Sequence, residues 1–279
     1  MSDERIRQRA IVALALVALG ASLVGLTRWT RRVRPPLASS ASSAPAKPEL
    51  PPLASESWLV ELPVPGFPSS FAAVPVGARE PRPVLIALHG GADRPEWACG
   101  TWTGISRGRP FVLCPRGKHR DDLSGEPRFG WGSQAEVEGE LRAALKALKA
   151  RFGQHVASGP VVMAAFAAGV KHALEISRHE PAFFTRLILV GAEPDTWSAG
   201  KAAVYAKSGG KRLLFAVSDA ESRAAASTYW LFARGAGLET KLLDLGEGGL
   251  RLDDEVARAV AGELPWLVGS DPLYPAAPE

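Results

Sequence analysis

From residue 84 onward, short apolar runs alternate with longer segments whose apolar residues recur every three or four positions. Uninterrupted apolar runs are typical of strands buried on both faces, and the longer spacing is typical of amphipathic helices. The pattern predicts strands at 84–88, 111–115, 161–165, 187–190, 213–217 and 240–245, and helices at 96–105, 134–152, 170–179, 198–206, 221–234 and 254–267. This order predicts an α/β fold in which helices cover both faces of a mostly parallel sheet.

Two shorter runs, at 58–64 and 71–76, are bounded by proline and glycine and predict antiparallel edge strands. The charged, glycine-containing segment 118–131 predicts a loop. The helix at 134–152 has the clearest end signals. Ser133 and Glu136 have the spacing of a capping box, and Gly153 stands where a C-terminal cap belongs.

The bend between the strand 161–165 and the next helix is the feature most closely tied to a chemistry. Many hydrolases mount a nucleophile at such a bend, with the pattern G-x-S-x-G. In this chain the five positions hold Ala165, Phe166, Ala167, Ala168 and Gly169. The closing glycine is present, but a methyl group occupies the nucleophile position.

The N-terminal part of the chain has a different character. Residues 10–27 carry no charge, with three arginines before them and four after. About 18 apolar residues just suffice to cross a bilayer as a helix, and Trp29 stands where an interfacial aromatic is expected. We therefore expect a transmembrane helix or signal anchor at 10–27, behind a short basic segment at 1–9. A cleaved signal peptide and a buried soluble helix are the alternatives, and the arginine counts leave the orientation open.

The remaining boundaries follow from composition. Residues 28–52 are rich in Pro, Ala and Ser and lack a periodic apolar face, which predicts an extended, disordered linker. A globular domain is expected at 53–270 and a disordered tail at 271–279. With 279 residues and 46% hydrophobic content, the chain can bury a large core.

The net charge of +4 is located almost entirely at the N-terminus. Eight of the 33 Lys and Arg residues precede Pro48, but only two of the 29 Asp and Glu residues do. The rest of the chain therefore carries 25 basic and 27 acidic residues. A body of this balance lacks the basic surface that binds a phosphate backbone, so nucleic acid is not an expected partner.

The chain has two cysteines, Cys99 and Cys114. A disulfide between them would close a loop of about 15 residues and would imply an oxidising compartment. Two buried thiols that pack as small hydrophobes are the alternative, and the spacing leaves both open. No histidine pair stands at ligand spacing nearby, so no metal is expected, and no cofactor is expected elsewhere.

A strand followed by His89, Gly90 and Gly91, and later a strand followed by the bend at 165–169, resemble the α/β-hydrolase family. The similarity covers residues 84–268 and is greatest to the small-esterase and polyhydroxybutyrate-depolymerase-like branch. It implies a three-layer α/β/α sandwich with a doubly wound sheet, here preceded by a single N-terminal transmembrane helix. It also implies a nucleophile at the bend, an acid after a later strand and a histidine after the last strand.

The positions that correspond to this triad are Ala167, Asp219 and Leu250. Asp219 is a plausible remnant acid, and a helix-capping aspartate is the alternative. None of the five histidines lies after His179, so no imidazole can occupy a loop near the C-terminus. The resemblance therefore implies a catalytic serine and histidine that have been replaced, with no intact catalytic residue.

Two groups of residues remain as candidates for binding. An oxyanion-hole-like group would come from His89, Gly90, Gly91 and Ala168, although a strand-to-helix turn also needs glycine. Aromatic residues and one histidine near the expected ligand edge of the sheet could line a pocket, although they also suit loop packing. These pocket candidates are Trp97, Trp102, Trp131, His172 and Trp197.

The leading hypothesis is a membrane-anchored, non-catalytic homologue of a hydrolase that binds a small molecule or glycan, or acts as a scaffold. The alternative is an active carboxylic-ester hydrolase with a non-standard nucleophile, and a third class is a purely structural envelope protein. The domain is expected outside the cytoplasm, or secreted if the N-terminal segment is cleaved. The sequence indicates no particular protein partner.

Overall fold

An eight-stranded sheet forms the centre of the computed structural model, which describes residues 49–274. Its strands are β1 (Leu59–Leu62), β2 (Ser70–Ala73), β3 (Val84–Leu88), β4 (Phe111–Cys114), β7 (Val162–Phe166), β8 (Arg186–Val190), β9 (Arg212–Val217) and β10 (Glu239–Asp244). A separate two-stranded ribbon consists of β5 (Lys118–His119) and β6 (Phe129–Gly130).

Within residues 49–274, five helices connect these strands and a sixth follows β10. They are α1 (Pro95–Ile105), α2 (Gln134–Phe152), α3 (Gly169–His179), α4 (Ala199–Lys207), α5 (Ala220–Gly235) and α6 (Asp254–Val268). A short 3₁₀ turn, Gly153–His155, follows α2. From β3 onward, the ends of the main strands and helices differ from the predicted ends by no more than one residue. The segment 118–131 was predicted as a loop, and the structure corrects this by pairing β5 with β6 inside it.

The lateral order of the strands is β1-β2-β4-β3-β7-β8-β9-β10. Strands β3, β4 and β7 to β10 are parallel, and β1 and β2 join the edge in antiparallel fashion. The predicted parallel sheet with antiparallel entry strands is therefore confirmed. After β3 the chain adds β4 on one side of it and later adds β7 on the other side. The carboxyl ends of β3 and β7 therefore form a topological switch point. Open α/β sheets bind ligands at such points.

Side chains on successive residues of a strand point to opposite faces, which produces two cores. Along β3, Ile86 and Leu88 face the core that includes α2, α3, α4 and α5. Leu85 and Ala87 face the second core, which includes α1 and α6. Helices thus cover both faces, and the predicted three-layer α/β/α arrangement is confirmed.

The predicted capping box is present at the start of α2. The Ser133 side chain accepts a hydrogen bond from the Glu136 amide, and the Glu136 carboxylate accepts from the Ser133 amide at 2.8 Å. The first turn of the helix thereby gains partners for N–H groups that have none within the helix. At the other end, Gly153 follows α2 with a φ of +50°, a conformation that favours glycine.

A disulfide joins Cys99 in α1 to Cys114 at the end of β4. Their Cα atoms are 5.9 Å apart, and both side chains are fully buried in the second core. Of the two alternatives that the sequence left open, the structure has the disulfide. It ties α1 to the sheet on the face that α6 also covers.

Residues 271–274 pack onto the domain instead of beginning a tail. The Asp271 carboxylate forms a 2.8 Å ion pair with Arg186, and Arg109 Nε donates to the Leu273 carbonyl at 2.7 Å. Both members of the ion pair are mostly buried. The prediction of disorder is therefore wrong for 271–274, because the composition of this segment does not reveal its long-range partners. Residues 275–279 lie outside the described part.

The chain enters the domain through residues 49–53, which bond to the backbone near residue 78. The Leu50 amide donates to the Arg79 carbonyl, and the Leu53 amide donates to the Ala78 carbonyl. The predicted anchor at 10–27 and the linker before residue 49 lie outside the described residues. Within 49–274, no helix combines the length and the apolar character needed to cross a bilayer.

Candidate functional site

The bend after β7 holds residue 167 in a conformation that favours glycine. Ala167 has a φ of +48°, although its Cβ makes this left-handed region costly by about 1–2 kcal/mol. Its amide donates to the Val190 carbonyl of β8 at 2.9 Å, which ties the bend to the carboxyl edge of the sheet. The strained bend is thus present, and it carries a methyl group.

The closing glycine of the bend lies directly against the end of β3. A Cβ on Gly169 would lie 2.7 Å from the Leu88 carbonyl oxygen and 2.8 Å from the His89 carbonyl oxygen. These distances are shorter than any van der Waals contact, so a side chain here would push α3 away from β3. Close packing between helix and strand therefore explains why residue 169 is glycine.

The turn 89–91 lies across from the bend, so the two predicted halves of the oxyanion-hole-like group do meet. A Cβ placed on Gly90 would be 3.7 Å from the Ala167 Cβ, and one placed on Gly91 would be 3.6 Å from the Ala168 Cβ. The backbone of the turn can approach the bend this closely because glycine has no side chain.

A carboxylate that the sequence analysis did not single out faces this turn. Asp93 Oδ2 lies 3.4 Å from the Gly90 amide nitrogen, and its Oδ1 accepts from the Arg94 amide at 2.7 Å. An oxyanion hole uses N–H groups aimed at a developing negative charge. Asp93 competes for one of these groups and would repel an anion. The only signal in the sequence for this role of Asp93 is its position, two residues after the glycine pair.

His89 is fully buried, and both of its ring nitrogens face carbonyl oxygens. Nδ1 lies 2.7 Å from the Gly90 oxygen, and Nε2 lies 2.9 Å from the Arg116 oxygen. A neutral imidazole has a single N–H group, so the ring can bond to both oxygens only as imidazolium. A ring with both nitrogens occupied in this way cannot serve as a general base.

Glu140 brings a buried carboxylate to the same region and was also missed from the sequence. Its Oε1 accepts from the Arg116 amide at 2.7 Å and from the Gly117 amide at 3.0 Å. Burial raises the pKa of Glu140, and the two backbone hydrogen bonds act in the opposite direction. The available signal was its position, since an acidic residue stands on the apolar face of α2.

Trp131 connects the turn to His172. Its ring stacks on His89 with centroids 4.3 Å apart, and its Nε1 donates to the His89 carbonyl at 2.9 Å. The His172 ring lies 6.1 Å from the Trp131 ring. Two of the pocket candidates are thereby brought together beside the turn, where Trp131 fixes the backbone.

His172 is a buried histidine with a hydrogen-bond partner at only one of its two ring nitrogens in the described residues. Its Nδ1 lies 2.8 Å from Gln134 Oε1, and its Nε2 is buried with no hydrogen-bond partner among residues 49–274. Because an amide oxygen only accepts, Nδ1 carries the proton and Nε2 does not. Burial, together with the charge of Lys171, lowers the pKa of His172 to about 4.

The other tryptophans do not share one pocket. Trp102 is fully buried in the second core, and Trp197 is buried against the rings of Tyr205 and Tyr229. We assign both to packing, because neither ring is accessible to a ligand. Trp97 is half exposed, with the guanidinium groups of Arg94 and Arg128 lying 5.1 Å and 4.5 Å from its ring centroid.

Asp219 caps α5, as the helix-cap alternative expects, but only one of its two carboxylate oxygens takes part in the cap. Its Oδ1 accepts from the Ser222 amide at 2.9 Å, while Oδ2 is buried without a partner in the described residues. Leu250 lies nearby, since a Cβ on Gly191 would collide with its Cδ1 and would lie 3.6 Å from the Ser222 Oγ. Gly191 directly follows Val190, the residue that bonds to Ala167.

The five histidines have other partners than hydroxyl or thiol groups. Apart from His89 and His172, His119 faces Asp121, His155 faces the Pro51 carbonyl, and His179 faces Glu138 and Arg178. Within residues 49–274, no serine, threonine, tyrosine or cysteine side chain lies within hydrogen-bond distance of an imidazole.

Comparison with known proteins gives a fold but no relative by sequence. No protein-family model matches the sequence, and no curated protein matches it. Solved structures do match. TT1662 from Thermus thermophilus has a TM-score of 0.55 at 17% identity, over 76% of this chain and 98% of its own. The metagenomic P91, a dienelactone hydrolase-like promiscuous phosphotriesterase, has a TM-score of 0.55 at 16% identity, over 75% and 98%.

A third similar structure is S-formylglutathione hydrolase from Agrobacterium tumefaciens, with a TM-score of 0.56 at 12% identity. The match covers 78% of this chain and 98% of that enzyme. Two of these three neighbours are thus hydrolases by name, and this chain has the same arrangement of sheet and helices as all three. At such low identities the similarity shows the fold alone.

Proposed function

We propose that this protein is a non-catalytic relative of α/β-hydrolase-fold esterases that works as a binding or scaffolding module. The observation that carries the proposal is the bend at Ala167. Its backbone has the strained conformation of a nucleophile mount, but a methyl group has no atom that can attack a carbonyl carbon. Removing the nucleophile from such an enzyme costs on the order of 10⁶ in turnover.

The surroundings of the bend support the same proposal. Leu250, where the base would stand, is a hydrocarbon side chain, and Asp219 Oδ2 lacks the N–H donor that a triad histidine would provide. Asp93 places a carboxylate at the turn where an oxyanion would need N–H donors. Three separate segments are therefore unsuited to acyl transfer.

The site still offers features that suit a bound ligand. The turn 89–91 exposes backbone to the bend, Trp131 lies against this turn, and Trp97 presents a half-exposed ring on α1. Aromatic faces beside a few fixed polar groups suit a small planar molecule or a glycan. The unpartnered Nε2 of His172 is an acceptor, so a ligand hydroxyl that reached it would gain a buried hydrogen bond.

We also propose that the apolar segment 10–27 anchors this domain at the outer side of a membrane. The Cys99–Cys114 disulfide supports this placement, because disulfides persist in oxidising compartments. The uneven charge of the chain agrees with it, since basic residues concentrate around the apolar segment and the domain is slightly acidic.

The decisive experiment uses the fragment 49–279. The described members of both hydrophobic cores lie between Leu53 and Tyr274, and residues 49–279 form a compact unit, so we expect this fragment to fold on its own. It should show no labelling by a fluorophosphonate and no turnover of short-chain esters. The double variant Ala167→Ser with Leu250→His serves as the comparison, and any gain of labelling in it would show that the bend can still hold a nucleophile.

The second candidate function is an active ester hydrolase, and the esterase fold of the structural neighbours favours it. Labelling of the unmodified fragment at one defined serine would establish that candidate and overturn the proposal. A purely structural domain is tested by the melting temperature in the presence of a glycan and carboxylic-acid panel. A ligand that binds the folded state must raise the melting temperature, and a structural domain would show no rise.

A further inference from the structure

A cavity lies at the opposite edge of the sheet from the bend. It has a volume of about 710 Å³ and opens at the amino ends of β3 and β4, next to the C-terminal ends of α1 and α6. Five strand residues at about 3.3 Å each separate the two edges. The cavity is therefore independent of the site at Ala167, and its size falls in the range of about 300–1,000 Å³ typical of small-molecule pockets.

The walls of this cavity are mostly apolar. Ile105 and Val268 form its floor as part of the second core, and Trp58 and Val76 stand at its side. Trp58 is 50% exposed and Val76 is 52% exposed. Large apolar side chains that remain exposed around one concavity mark an interaction site.

Two residues that line the cavity each carry a buried polar atom with no hydrogen-bond partner among the residues that the structure describes. These atoms are Arg82 Nε and the phenol oxygen of Tyr274. An orphaned buried donor costs about 1–3 kcal/mol in general, so such atoms are normally satisfied by something. Burial raises the pKa of Tyr274, so its phenol keeps its proton and can donate.

The local charge is positive. Arg82 and Arg109 share one carboxylate, that of Glu80, at 3.3 Å and 3.2 Å, and Arg107 on the same wall forms no ion pair within residues 49–274. Burial lowers the pKa of Arg82 most, the charge of Arg109 lowers it further, and the charge of Glu80 acts in the opposite direction. A negative group in the cavity would relieve the repulsion between these two arginines.

We propose that this cavity binds a single-chain amphiphile with a carboxylate headgroup, of the fatty-acid class. The chain would lie along Ile105, Val268 and Val76. The carboxylate would accept hydrogen bonds from Arg82 Nε and the Tyr274 hydroxyl once these two side chains turn their buried atoms toward the cavity, which supplies both donors with a partner. A neutral amphiphile would bury the same apolar surface but would leave the positive charge uncompensated.

Isothermal titration calorimetry of the fragment 49–279 with octanoate and decanoate tests the apolar part. Each buried methylene is worth a factor of about four, so decanoate should bind about fifteenfold more tightly than octanoate. Val76→Asp should weaken decanoate binding at least tenfold, since it places a negative charge beside the ligand. Val204→Asp is the matched control, because Val204 is equally exposed, at 48%, and lies on α4 away from the cavity.

The headgroup is tested with decanol in place of decanoate. Decanoate should bind at least tenfold more tightly, and Arg82→Gln should remove most of this preference. The proposal is overturned if decanoate does not bind at millimolar concentration, or if the Val76 and Val204 variants weaken it equally. Equal affinity for decanol and decanoate would refute the role of the arginine and tyrosine.

Discussion

Acidification should destabilise this protein through one buried histidine. At neutral pH, His172 donates from Nδ1 to Gln134 and keeps Nε2 unprotonated and buried. A proton on Nε2 would create a buried N–H group and a buried charge with no partner. The folded state therefore resists protonation, while the unfolded state takes up the proton freely.

The size of the effect follows from the two pKa values. The pKa of His172 is about 4 in the folded protein, against an ordinary value of 6.5. Between these values the unfolded state binds more protons, so stability falls as the pH drops from about 6.5 to about 4 and levels off below. At 1.36 kcal/mol per pKa unit, the total loss is about 3 kcal/mol, of which about 2 kcal/mol is already lost at pH 5.

Urea denaturation of the fragment 49–279 at pH 7 and pH 5 measures this loss. His172→Gln removes the titrating group, so the difference in unfolding free energy between the two pH values should shrink by about 2 kcal/mol. His119→Gln is the matched control, because His119 is exposed and its hydrogen-bond partner, Asp121, is exposed as well. Comparing each protein with itself at two pH values removes any general cost of the substitution.

A His172→Gln protein that loses as much stability on acidification as the unmodified fragment would refute the reasoning. The same conclusion would follow if the His119 variant, and not the His172 variant, flattened the pH dependence. Either result would mean that the acid sensitivity arises from groups other than the buried imidazole.

Two further predictions concern the scaffold. Replacing both Cys99 and Cys114 with alanine should lower the unfolding free energy by about 3 kcal/mol, as expected for the loss of a disulfide that closes a loop of about 15 residues. In urea denaturation, a reductant added to the unmodified fragment should have a similar effect. Gly169→Ala should lower the unfolding free energy by about 1–3 kcal/mol, because its Cβ would collide with two carbonyl oxygens. Gly104→Ala is the control: its Cβ would meet open space on α1, so the change should be neutral or stabilising by up to about 1 kcal/mol. Equal melting temperatures for the two variants would contradict the packing argument.

Much of the fold could be predicted from the sequence because the deciding signals are local. The apolar run of β3 and the helical spacing of α2 depend on residues within a few positions of each other, and a capping box needs only Ser133 and Glu136. The bend at Ala167 was predictable for the same reason, since a buried strand ends and a helix begins within a few small residues.

The site was predictable only in part. The turn 89–91 and the bend meet as expected, because parallel strands end at one edge of the sheet. Trp102 was expected at this edge and is instead in the core, because it lies on the buried face of α1 that packs against the sheet. Glu140 and Asp93 were missed, since their roles depend on backbone groups that other segments bring to them.

By itself, the sequence determined the order of strands and helices, the methyl group at the bend and the absence of a histidine beyond residue 179. Tertiary structure alone decided that the two cysteines are bonded, that His172 is buried with a bare nitrogen, and that a cationic cavity opens at the far edge of the sheet. The physical reason is distance along the chain. Periodicity reports which face of an element is apolar, whereas these three features depend on which distant segments the sheet order places side by side.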